Sequence, residues 1–99
     1  MNLKVAVAQF DIVLLAKKQN YNKMELLVEQ AMLEGNINLI VFPEAALSGY
    51  CIESIDLFYE ASESISGKYF TSICSLAQKF SIHIVFGFLA TNVQPSVPW

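Results

Sequence analysis

Leu39-Ile-Val-Phe42 is an unbroken apolar run, stopped by Pro43 just before a lone acid, Glu44. Such a run, rich in β-formers, reads as a strand covered on both faces, and the proline removes the amide that would continue its ladder. Glu44 is thereby delivered to the end of a buried strand, where open α/β sheets keep their chemistry. A carboxylate among apolar neighbours gives up hydration there, which suits it to general-base work near neutral pH. The plainer reading is that a glutamate after proline faces solvent or caps the next turn.

The rest of the chain supplies strands and helices in alternation. Leu3 to Phe10 reads as a strand, and Asn20 or a neighbour opens a helix whose apolar face is Met24, Leu27, Val28, Ala31 and Met32, ending near Gly35. Ile37 to Phe42 is the second strand. A short helix is expected near Ser54 to Glu60, a longer one from Lys68 to Phe80 after the Ser66-Gly67 break, and a third strand from Ile82 to Phe88. This βαβαβ order makes parallel pairing the default and the fold class α/β. Ser48-Gly49-Tyr50 predicts a tight turn in which the glycine takes a positive φ, with Tyr50 as a packing aromatic.

Val5-Ala-Val-Ala-Gln9, Asn20, Phe42-Pro-Glu44, Ser48-Gly-Tyr50 and Ile84-Val-Phe-Gly-Phe88 follow one another in an order that resembles the nitrilase superfamily, the carbon–nitrogen hydrolases. The resemblance runs from about residue 3 to residue 89. It implies a four-layer α-β-β-α sandwich, of which this βαβαβ segment is the N-terminal part. Residues 1–89 then belong to the hydrolase domain, and 90–99 form a divergent tail.

The resemblance also implies a Glu-Lys-Cys triad. A thiolate attacks an amide, carbamoyl or nitrile carbon, a covalent thioester or thioimidate forms, and ammonia or an amine leaves. Glu44 matches the family's glutamate, which relays protons for the thiol, the leaving nitrogen and the final water. The family's lysine and cysteine fall further along than Trp99, so a shortened product, an alternative transcript or a shifted reading frame is expected.

Other reactive residues have plainer readings. Cys51-Ile-Glu53 superficially matches a cysteine followed by an acid, but it comes too early in the order of elements and has no local cation to hold a thiolate. Phe70, Ile73, Cys74 and Ala77 recur at helical spacing, which predicts Cys74 as a small core residue. His83 is expected as a packed or hydrogen-bonded strand residue, and Lys68 and Lys79 as solvated flanks of a helix. Two cysteines in this spacing indicate neither a disulfide framework nor a zinc site, so no cofactor or metal is expected, and a reducing cytoplasm is the natural compartment.

Composition narrows the partners. Of the 99 residues 55% are hydrophobic and only 15% charged, which is apolar for a chain that must expose much of its surface, so something else is expected to cover part of it. The net charge is −3, with six scattered lysines and no arginine, which argues against nucleic acid. No window approaches the roughly 20 apolar residues needed to span a bilayer. The expected partners are a small amide, carbamoyl or nitrile substrate and further copies of the chain in a homo-oligomer. Two alternatives stand beside the hydrolase: an inactive interaction protein that binds a full-length subunit, and a cofactor-binding βαβ module. The third is disfavoured because the first strand lacks a glycine-rich phosphate turn.

Overall fold

Alternating apolar strands and amphipathic helices assemble here into one parallel sheet with its helices beside it. The computed structural model describes residues 2–49, 54–64 and 66–90. The elements are β1 (Val5–Val7), α1 (Lys17–Gly35), β2 (Leu39–Val41), α2 (Ile55–Ala61), α3 (Lys68–Phe80) and β3 (His83–Val85). The strand order is β1-β2-β3, and both pairings are parallel, as the βαβαβ reading requires. Each regular strand is shorter than its apolar run, because only the middle residues keep ladder geometry. Bonds from Ala8 N–H to the Val41 carbonyl (2.9 Å) and from Phe42 N–H to the Val85 carbonyl (2.8 Å) carry the pairing a little further.

Register decides the two faces. Ala6, Ile40 and Ile84 stand side by side across the sheet, flanked by the rows Val5, Leu39, His83 and Val7, Val41, Val85. Successive side chains alternate, so the middle row faces one way and the flanking rows the other. Ile40 is buried among Met24 and Val28 of α1 and Ile73 and Leu76 of α3, with Ala6 and Ile84 packed against the same cluster. On the opposite face Val7 is 74% exposed, Val85 51% and Val5 48%. The strand expected to be covered on both faces is therefore covered on one among the described residues. α1 and α3 both lie against the Ile40 side.

Helix α1 presents the expected apolar face, with Met24 and Val28 buried and Leu27, Ala31 and Met32 packed on the core. It begins earlier than expected, at Lys17, which places Asn20 inside its first turn rather than at its start. Its end is set by Asn36, which makes the last helical bond, N–H to the Met32 carbonyl, and then turns the chain left-handed; asparagine tolerates that conformation better than most residues. Helix α2 is capped by Ser54, whose hydroxyl accepts from Leu57 N–H at 3.2 Å.

Helix α3 has the bounds its periodicity predicts, yet the buried stripe runs through Ile73 and Leu76, with Tyr69 and Phe80 packed beside them. Cys74 is exposed, which corrects the expectation of a core cysteine. Neighbouring positions on a helix point about 100° apart, and the larger Tyr69-Ile73-Leu76-Phe80 set claims the sheet. His83 is likewise exposed on the open face and not packed, its backbone N–H bonding the Asn38 carbonyl at 2.9 Å. Lys68 and Lys79 are exposed at the two ends of α3, their ammonium groups 5.5 and 5.3 Å from the centres of the Tyr69 and Phe80 rings that follow them, as expected of solvated flanks.

An ion pair joins the ends of the helices. The Lys17 ammonium lies 3.3 Å from Glu63 Oε1 and also donates to the Ser62 carbonyl. Glu63 Oε2 accepts from the Tyr69 and Phe70 amides at 2.7 and 3.2 Å, which caps the start of α3 with a negative charge. The carboxylate packs so closely over Gly67 that a Cβ there would sit 2.4 Å from Oε2.

Candidate active site

All three strands run the same way, so their C-terminal ends open onto one rim. Gln9 follows β1 there, Glu44 follows β2 and Gly87 follows β3. Phe10 and Phe42 meet edge-to-face at 6.3 Å just beneath this rim. Glu44 lies at the strand end as the sequence predicts, but it is exposed among the described residues, so these residues do not supply the dehydrating surroundings expected for it.

The chain after Glu44 is, by contrast, deeply held. Ala45, Ala46, Leu47 and Ser48 are each no more than 2% exposed. The turn closes through Ser48 and Gly49 amides donating to the Ala45 carbonyl at 3.2 and 2.8 Å, and Gly49 takes the positive φ of 78° expected of it. Ala45 is also left-handed, with φ of 50°. For a residue with a side chain that conformation costs about 1–2 kcal/mol, so surrounding contacts must hold it.

Two contacts do so, and neither was evident from the sequence. Gly87 lies against the Glu44 backbone, where a Cβ would come within 3.0 Å of Glu44 Cα, and its carbonyl accepts from Ala46 N–H at 3.1 Å. The only sequence signal is a small residue between two aromatics, Phe86 and Phe88, which stack with ring centres 5.3 Å apart. The second contact is Asn20, buried to 1%. Its Oδ1 accepts from Val13 N–H at 2.9 Å, and its Nδ2 donates to the carbonyls of Val13 (2.8 Å) and Leu47 (2.6 Å).

Open grooves border this rim. One of about 400 Å³ is lined by Gln9, Phe10, Asp11 and Pro43, and another of about 620 Å³ extends from Gln9 and Asp11 along α1 past Asn20 to Lys23 and Leu27. Glu44 lines neither, and neither is enclosed. Tyr50 and Cys51 lie outside the described residues, as does the 91–99 part of the tail. Among the described residues no three His, Cys, Asp or Glu side chains stand together as a metal ion would require. Nor is any described helix long and apolar enough to cross a membrane.

A parallel α/β sheet with a glutamate just after its central strand, at the C-terminal rim, belongs to the class of folds that put catalysis at strand ends. The carbon-nitrogen hydrolase model matches residues 4–99, and the chain belongs to that family, part of the nitrilase superfamily. A nitrilase from Pyrococcus abyssi (strain GE5 / Orsay) is 31% identical over 86 residues, covering 86% of this chain and 32% of the relative. Glutamine-dependent NAD(+) synthetases from two Xylella fastidiosa strains, Temecula1 and 9a5c, are 43% identical over 53 residues, 54% of this chain and 10% of theirs. The chain thus spans about a third of the nitrilase relative and a tenth of the synthetases.

Proposed function

We propose that this chain is the N-terminal portion of an amidase- or nitrilase-type domain that hydrolyses non-peptide C–N bonds, with Glu44 as its general base. The observation that carries this reading is the placement of Glu44: exposed at the C-terminal rim of a parallel sheet, with the next four residues fully held. A base must be accessible to substrate while its backbone stays fixed. In the reading, Glu44 takes the proton of a cysteine thiol as sulfur attacks the amide, carbamoyl or nitrile carbon. It then protonates the departing nitrogen, and later activates the water that frees the acyl group. Of the triad, the reading assigns Glu44 alone to these 99 residues.

The same proposal accounts for the open sheet face. The row of Val5, Val7, Leu39, Val41 and Val85 takes the second sheet of the four-layer sandwich. The complete protein is read as a cytoplasmic homo-oligomer acting on small molecules. The test joins the chain to the remaining two thirds of a nitrilase domain and measures ammonia release from nitriles, ω-amides and carbamoyl compounds. Glu44→Gln is expected to lower kcat by about 10²–10⁴-fold with the fold intact. Turnover that survives the substitution overturns the assignment.

The exposed valines also favour a second reading, in which the chain docks through that face on a full-length subunit and needs no Glu44. Binding of the subunit that is unchanged by Glu44→Gln and lost on Val7→Asp supports it.

A further inference from the structure

The geometry points to Asn20 as a positioning residue for Glu44, acting through the turn that follows the acid; this rests on the reading of Glu44 as the base. Asn20 sits in the first turn of α1, and its amide is satisfied by two separate loops: the Val13 N–H and carbonyl before the helix, and the Leu47 carbonyl beyond Glu44. A second strut runs parallel to it, from Leu15 N–H to the Ser48 carbonyl at 2.8 Å. The amide group thus ties the approach to α1 and the 45–49 turn into one unit.

The clamp holds backbone that would otherwise relax. Leu15 and Ala45, one on each side of it, are both left-handed, with φ of 61° and 50°. Neither is a glycine, so each keeps that conformation only while its neighbours insist. Glu44 directly precedes Ala45, and a change of φ at Ala45 swings the Glu44 backbone away from Gly87. An aspartate at position 20 matches the size of asparagine and still accepts from Val13 N–H. It has no N–H to give the Val13 and Leu47 carbonyls, and it sets a carboxylate oxygen against them. Asparagine is the side chain that meets both demands at this length.

The test uses the 99-residue chain by NMR, with Asn20→Asp compared against Val28→Ala, a core truncation in the same helix. Two readouts follow the clamp: the cross-peak between Glu44 Hα and Gly87 Hα, and hydrogen exchange at the Leu15 and Gly49 amides. Asn20→Asp is expected to weaken the cross-peak severalfold and to speed exchange at both amides by about tenfold or more beyond the change at α3 amides. Val28→Ala is expected to leave the cross-peak in place and to speed exchange evenly. If Asn20→Asp does not fold, Asn20→Ser, which removes the amide without adding a charge, is judged by the same criteria. A retained cross-peak with retained protection overturns the proposal, and so does equal loss in the Val28→Ala control. Neither readout involves turnover, so a failed clamp is distinguishable from a failed base, which Glu44→Gln tests by itself.

Discussion

The two faces of the sheet are made from the same kinds of residue and serve opposite ends. On one, Ala6, Ile40 and Ile84 lie under α1 and α3, and Ile40 is 1% exposed; on the other, Val7 is 74% exposed although it pairs with Val41 in the same ladder. Hydrogen bonding is shared by both faces, so the difference lies in side-chain burial. Full burial of a valine or leucine is worth about 1.5–3 kcal/mol, so the open row holds several kcal/mol that a covering surface would release. The helix-covered face stabilises the segment, and the open one leaves that energy unrealised among the described residues.

Truncation on each face breaks or sharpens that contrast. Ile40→Ala is expected to cost about 2–5 kcal/mol in urea unfolding, the range for large-to-small changes in a packed core. Glu63→Gln, which leaves the Lys17 ammonium half-buried without its counter-charge, should cost about 2 kcal/mol and fray the start of α3 in amide exchange. Val7→Thr on the open face should change stability by no more than about 0.5 kcal/mol in the isolated chain. A cost for Val7→Thr near that of Ile40→Ala would show that the face is covered in solution, and light scattering would then report an assembly.

The smallest effect concerns pH. Tyr21 lies on the helix-covered side, its ring 6.1 Å from that of Tyr69, and burial together with the nearby Glu25 charge raises its hydroxyl above the ordinary 10.0. The unfolded chain therefore loses this proton first. The contribution is fully present below pH 10 and is lost as pH rises from there through the folded value. Tyr21→Phe should flatten that part of the stability profile above pH 10 without altering it at neutral pH.

What was legible in the sequence follows the range of the forces involved. Helix α3 was readable to the residue, and Gly49 as the turn's left-handed position, because periodicity and turn chemistry are local. Glu44 at the strand end was readable from Pro43. The burial of Asn20, the approach of Gly87 to Glu44 and the pairing of Lys17 with Glu63 were not, since each joins segments separated by a helix or more. Cys74 was misread for a related reason: two overlapping stripes fit α3, and only the partner helix and sheet choose between them. Val7 and Ile40 look alike as sequence, and which is covered depends on where the helices cross.

The place of Gly87 has a consequence for synthesis. Ala46 bonds the Gly87 carbonyl, and Glu44 rests against that glycine, so the acid's setting is finished by a residue translated long after it. β2 likewise gains its second neighbour only when β3 arrives, after two further helices. During translation the first strand, α1 and β2 can associate early, since they are consecutive. The rim that carries Glu44 stays unset until Phe86-Gly-Phe88 clears the ribosome, and a chain paused before that point presents a sheet edge and a loose acid.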